Sequence, residues 1–355
     1  MNVVFIAMTS GIYMALWVYG ESRLASQLGI GREAGLLAGM IVSIWILMRL
    51  QGIIVASRRV RSVRWRRTVY LLSPLVFYVS LYFIDWDMLV TSLMGFSIMT
   101  IYMGLVTAVS VSTIYHEMDY AEWPHAVSMY RSSTTLVQAA SLLLASLWLG
   151  EDRIWILLVI ATLSAIASVT LMKGYIISSI SFKVLDNFSD LVAFTRYNVR
   201  QFSYKTLLKY AGVIGGLASV KLVNLPAATA QNPFNGLITY SLGYLIGARL
   251  AINRYEASLA VILGILAMAY PLLNLNPLIT IAVIGLGLGF TEVSATLYIL
   301  DTKPRMMLKA TIILTAWTIL GALATGITSM AIPRNASLSG LIVALISIIL
   351  SRIGR

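Results

Sequence analysis

Apolar runs, each about as long as a bilayer crossing, recur from one end of the chain to the other and leave it few ways to fold. A helix spanning lipid needs ~20 mostly apolar residues, and only a helix or a closed barrel satisfies its own backbone polar groups there. By that measure the sequence predicts about twelve helices. Six cover residues 3–20 (with a polar extension through Glu21 and Arg23 towards Leu28), 33–56, 68–84, 88–115, 126–150 and 154–172. Six more cover 210–223, 235–251, 257–273, 278–300, 308–330 and 338–349. Pro124 stands where a helix start tolerates proline, and Pro226 and Pro233 bracket the turn after the seventh run.

Between the two sets the pattern breaks. Lys183, Asp186, Asp190, Arg196, Arg200, Lys205 and Lys209 interrupt the apolar runs, so this stretch cannot span. Val184, Phe188, Leu191, Val192, Val199 and Phe202 still recur at helical steps, as on an amphipathic helix lying on a membrane surface. The fold class is therefore all-α: a polytopic membrane protein with two six-helix bundles over 1–173 and 210–355. A partly amphipathic cytoplasmic linker over 174–209 joins them. Composition agrees, since 59% of residues are hydrophobic and only 11% charged, against about 25% charged in soluble domains.

The net charge of +12 raises the question of a nucleic-acid partner. No basic tail or nucleic-acid motif supports one, and the cations gather instead in loops. Residues 52–67, GIIVASRRVRSVRWRR, place Arg58, Arg59, Arg61, Arg64, Arg66 and Arg67 between the second and third runs. Clustered cations stay on the cytoplasmic face, where anionic headgroups also hold them. With that loop inside, Arg131, the linker, Arg249, Arg254, Lys303, Arg305, Lys309, Arg352 and Arg355 fall on the same side. Arg23, Arg32, Arg153 and Arg334 fall on the other, and Arg49 and Lys221 lie within apolar segments. Both termini are then cytoplasmic in a multi-pass cell-membrane protein. The N-terminus lacks the cationic start of a removed signal peptide. Cysteine is absent, so no disulfide or thiolate metal site forms, and no cofactor or metal is expected.

Two six-helix halves, a short outer turn LGIGREAG before the second helix and an arginine-rich loop after it resemble the major facilitator superfamily of secondary transporters. That family carries a Gly-x-x-x-Asp-Arg-x-Gly-Arg-Arg signature in this loop. Here Gly52 matches the first glycine, Ala56 stands in place of the aspartate, Ser57 of the first arginine and Arg59 of the second glycine. The acid that helps latch the family's halves is missing, while Arg58, Arg59 and Arg61 keep the loop basic. The fifth helix, with LVQAASLLLASLWLG, also lacks the family's Gly-Pro antiporter pattern. The resemblance implies a small-molecule site near the bilayer midplane, exposed to either side in turn as the halves rock.

Ionisable residues inside apolar runs point to where such a site lies, because burying them in lipid is costly without a function or a partner. Glu292 sits mid-helix in GLGLGFTEVSATLYIL with Thr296 one turn on, and is suited either to carry a coupling proton or to pair with a basic neighbour. Arg49, one turn after Trp45, is placed to snorkel to the interface, to meet an anionic substrate or to partner Glu292. Tyr13, Trp17 and Glu21 share a face of the first helix. Glu21 and Lys221 both approach the outer surface, and the resemblance places their helices opposite one another as an outer gate pair. Glycines 212, 215, 216, 285, 287 and 289 suit close helix approach.

The competing readings are a lipid flippase, a non-transporting scaffold and a membrane-embedded transferase. A metal-diphosphate transferase needs paired aspartates, but Asp85, Asp87, Asp186, Asp190 and Asp301 are scattered over loops, the linker and a helix end. The turn with His116, Glu117, Asp119, Glu122 and His125 has no strong metal-ligand spacing and reads as solvated loop. A central polar cavity would favour transport, and a lipid-open groove would favour flipping.

Overall fold

The computed structural model describes residues 2–30, 34–59, 62–85, 88–117, 123–149, 153–172, 204–253, 256–302, 307–332 and 335–353. Among them are twelve α-helices and no strand. The first six are α1 (Asn2–Gln27), α2 (Gly35–Arg59), α3 (Val63–Asp85), α4 (Leu89–Glu117), α5 (Trp123–Leu144, continued by a π-helical turn Ala145–Leu149) and α6 (Ile156–Leu171). The last six are α7 (Tyr204–Thr229), α8 (Pro233–Asn253), α9 (Ala257–Ala269, continued by a 3₁₀ turn Tyr270–Leu273), α10 (Pro277–Thr302), α11 (Met307–Ala331) and α12 (Ala336–Ile353). Eight helices are long and apolar enough to cross a membrane, and three shorter apolar ones accompany them. The chain is a multi-pass membrane protein. The end of the molecule at which α1 begins is called here the base; the opposite end, where α1 ends, is the crown.

The arginine-rich stretch is mostly helix rather than loop. Helix α2 runs on through Arg59 and α3 starts at Val63, earlier than the expected residue 68. Ser62 supplies the cap: the Trp65 amide donates to its Oγ at 3.3 Å. Arginine is a good helix former, so charge alone did not mark the helix end. Arg66 is fully buried and donates to Thr113 Oγ1 at 3.5 Å, and Arg67 donates to the Met172 carbonyl at 2.7 Å at the end of α6. These two arginines are occupied by protein rather than by headgroups. Arg59 is exposed, and Arg61 and the Arg58 side chain lie outside the described residues.

Helix α7 also departs from expectation. It starts at Tyr204, not 210, so Lys205 and Lys209 belong to a helix rather than to the linker. It continues to Thr229 with Pro226 inside it, because the lost amide falls within the last turn and Thr229 Oγ1 donates back to the Leu225 carbonyl at 3.0 Å. The linker reading for 173–203 falls outside the described residues, as do residues 118–122 and the side chains of the turn from His116 to His125.

Helices in lipid gain nothing from burying one another's apolar faces, so small residues and interhelical hydrogen bonds hold them together. Around α1, Thr9 bonds Ser164 at 2.8 Å, Ser10 bonds Ser110 at 3.1 Å and Tyr13 bonds Ser73 at 2.7 Å, joining α1 to α6, α4 and α3. Between α8 and α10 the device is glycine. Gly243 and Gly247 face the Ala282 and Leu286 carbonyls, while Gly285 and Gly289 face those of Tyr240 and Tyr244. Neither helix has room for a Cβ at these points, so the two backbones touch along two turns.

A central cavity between the helix groups as the candidate functional site

A cavity of about 180 Å³ lies between the first six helices and the last six, walled by α1, α2 and α5 on one side and α7, α8, α10 and α11 on the other. Its chemistry falls into two clusters, one above the other along α1 and α7.

Towards the crown, Lys221 on α7 meets Glu21 on α1 at 2.6 Å. Both residues are almost wholly buried, at 4% and 2% exposed. The Lys221 ammonium also stands 5.1 Å from the Trp17 ring centre and 5.2 Å from that of Tyr240. Two aromatic faces and one carboxylate thus replace the water lost on burial. Trp17 is fixed in turn by donating to Thr100 Oγ1 at 3.0 Å.

Towards the base, the cavity holds Arg49 from α2, Arg131 from α5, Tyr244 from α8 and Glu292 from α10. Tyr244 donates its hydroxyl to Glu292 Oε2 at 2.5 Å. This bond exists because the glycine contact brings α8 against α10 directly beneath it. Glu292 attracts Arg49 and Arg131 repels it, yet among the described residues neither arginine forms an ion pair within 4.0 Å. The Arg131 Nε is buried with no hydrogen-bond partner. Thr296 lines the cavity and donates to the Glu292 carbonyl at 2.9 Å, so its hydroxyl proton is already committed.

The cavity therefore gathers Glu292, Arg49, Thr296, Trp17, Glu21 and Lys221 from four helices distant in sequence. Tyr13 is not among its walls; it is fully buried against α3, stacked on Phe77 at 4.1 Å and bonded to Ser73. Gly52 lies in the contact between α2 and α4, facing the Ile101 carbonyl, with Gly104 facing the Arg49 carbonyl in return. Arg131, Tyr240 and Tyr244 escaped the sequence reading. Arg131 was placed with the base-side loops because its helix was expected to start at 126. The helix starts at Trp123, two turns before Arg131. Tyr240 and Tyr244 carried a readable signal, since they stand four apart on one helix face.

Bonds between the two helix groups are unevenly distributed. Besides the Glu21–Lys221 pair, Ser22 donates to Thr229 at 3.2 Å, Gln138 to Ser241 at 3.0 Å and Ser43 to the Ile319 carbonyl at 3.3 Å. Tyr19 stacks on Phe234 at 6.0 Å, and Gly39 packs on Gly326. All lie in the crown half of their helices except at Ile319, the midpoint of α11; towards the base the groups meet instead through the apolar cluster of Leu50, Ile53 and Ala56 with Ile312.

No sequence-family model and no curated protein matches the chain. Solved structures do. The human organic anion transporter MFSD10 aligns over 99% of this chain and 98% of its own with a TM-score of 0.66 at 14% identity. The nucleoside transporter NupG aligns over 99% and 98% with a TM-score of 0.63 at 15% identity. The xylose transporter XylE from E. coli, in a partially occluded inward-open conformation, aligns over 99% and 97% with a TM-score of 0.63 at 13% identity. Superposition over 99% of the chain gives it the fold that these three transporters share.

Proposed function

We propose that the protein is a secondary transporter that moves a small solute across the membrane by alternating access. Residues 1–173 and 210–355, the latter extended back to Tyr204, would be its two rocking halves, with the termini and the basic loop cytoplasmic as the cation distribution requires. The observation that carries this reading is the charged central cavity walled by both helix groups, with a buried ion pair joining the groups at its crown end. Such a cavity supports transport over lipid flipping, scaffolding or catalysis, and bonds concentrated in the crown half suit an inward-facing state. Glu292 is the acid placed to carry a coupling proton, with Tyr244 holding its carboxylate. Glu21 and Lys221 serve as the outer gate.

Because the chain has no cysteine, a single cysteine reports accessibility on an otherwise silent background. Ala218 on the α7 wall of the cavity is the position to use. In sealed vesicles an impermeant maleimide should reach Ala218→Cys from the base side. Adding Glu21→Gln and Lys221→Met, which together release the gate, should shift labelling towards the crown side. Labelling confined to the base side in both backgrounds would reject alternating access through this cavity.

A further inference from the structure

We infer that the solute is a small organic monoanion whose carboxylate is held between Arg49 and Arg131, with its apolar body against the aromatic wall of the cavity. The inference rests on the transport reading above and names the class of its substrate.

Charge bookkeeping comes first. The cavity walls hold Arg49, Arg131 and Lys221 against Glu21 and Glu292. Lys221 and Glu21 neutralise each other at 2.6 Å. That leaves two guanidinium groups facing one carboxylate, an excess of one positive charge while Glu292 is ionised, in a space whose other polar walls are neutral threonines and tyrosines. Charges this deep are retained when something compensates them. Among the described residues the compensation is incomplete: neither arginine makes an ion pair within 4.0 Å, and the buried Arg131 Nε has no hydrogen-bond partner. Glu292 is held by Tyr244 instead.

The type of donor comes next. A guanidinium presents a planar fork that matches a carboxylate in two parallel hydrogen bonds, and two such forks facing one space hold a carboxylate at a defined place. Phosphate shares that chemistry but brings close to two negative charges at neutral pH, one more than the excess here. A dicarboxylate overshoots in the same way.

Size and surface decide the rest. A cavity of about 180 Å³ has room for a compact organic acid. Above the arginines the wall is aromatic and apolar: Trp17, Trp45, Tyr240, Val42 and Leu288. Trp45 is itself pinned by Phe96 at 4.6 Å, so this surface is built rather than left over. A flat apolar body joined to one carboxylate fills both parts of the cavity at once.

Benzoate, benzamide and phthalate probe the three claims of charge, uncharged shape and charge number. Each is titrated into the purified full-length protein, followed by melting temperature and by isothermal calorimetry. Benzoate should stabilise the protein saturably, benzamide should not, and phthalate should bind more weakly than benzoate. Arg49→Gln and Arg131→Gln should each weaken benzoate at least about tenfold, as loss of a charge-assisted hydrogen bond predicts, while Arg131→Lys keeps part of the affinity. Benzamide binding as well as benzoate, phthalate binding tighter, or no ligand binding at all would each overturn the inference. That comparison uses the unmodified protein, so it stands even where an arginine variant fails to fold. Should Ala218→Cys still change sides while benzoate fails, transport survives and only the substrate class is wrong. Benzoate binding without any change of side sinks the transport reading and leaves an anion site.

Discussion

Replacing Lys221 by methionine leaves the Glu21 carboxylate stranded in a site with 2% exposure. Breaking one partner of a buried pair costs about 3–5 kcal/mol, whereas replacing both is often close to neutral. The melting temperature should therefore fall sharply in Lys221→Met and return most of the way in Glu21→Gln/Lys221→Met. Equal losses in the single and double variants would show that Lys221 acts through packing on Trp17 and Tyr240 instead of through the pair. Glu292 is tested differently, because its bond to Tyr244 survives a neutral replacement in shape though not in charge. Glu292→Gln should abolish proton movement driven by solute, and unchanged transport with unchanged pH dependence would remove the proton role. Four of the charged groups in the cavity were legible in the sequence, since Glu21, Arg49, Lys221 and Glu292 each interrupt an apolar run. Arg131 was not, because a charge near an expected helix end looks like a loop charge until the cap is known. Tyr240 and Tyr244 were hidden for another reason: neutral aromatic residues are ordinary in membrane helices, and only the glycine contact with α10 aims them at Glu292.

At the scale of elements, helix number was readable because lipid imposes a length, but helix ends are set by caps that apolar counting ignores. Asn232 and Asn276 each precede a proline and each accept an amide from the first turn, at 2.9 and 2.8 Å. Asn–Pro is a visible start signal. Ser62, set in a run of arginines, is not, and Ser62→Ala should cost about 1 kcal/mol. Two substitutions separate what the sequence suggested from what packing decides. Ala56 occupies the place of the family's latch acid, and restoring Asp there looks like a repair. In the structure Ala56 is wholly buried in an apolar cluster with Leu50, Ile53, Ala108 and Ile312. Ala56→Asp should therefore lower the melting temperature without favouring either facing state, and a stable variant with a changed balance of facing states would revive the latch. Gly289→Val tests the contact between α8 and α10. Its Cβ would meet the Tyr244 carbonyl, so the helices must part and the Tyr244–Glu292 bond with them. The loss of stability should far exceed that of Gly29→Ala, where the backbone is left-handed at φ +62 but open space surrounds the new methyl.

At the scale of the whole molecule, the uneven bonding between helix groups marks the crown as the end that would have to part in the proposed cycle. The crown is closed by an ion pair, by hydroxyl and amide hydrogen bonds and by glycine contacts, all desolvated together when the ends meet. To open the crown, each must be exchanged for water or for bonds at the base, and a ligand drives that exchange only by binding the other state more tightly. An anion held by Arg49 and Arg131, both on the first helix group, would offer such a bias by also contacting Tyr240 and Leu288 on the facing wall of the second. Locking the crown shut should then stop the cycle without touching the site. Ser22 and Thr229 are suited to it, since their hydroxyls meet at 3.2 Å across α1 and α7, away from the Arg49 and Arg131 cluster. In the Ser22→Cys/Thr229→Cys variant, oxidation should link the two helices, abolish solute flux and leave benzoate binding intact. Reduction should restore flux, because a cysteine-free background offers no other thiol for disulfide formation. Flux persisting in fully cross-linked protein would mean that the crown never needs to part, and that the cavity is served by some path other than one between the two helix groups.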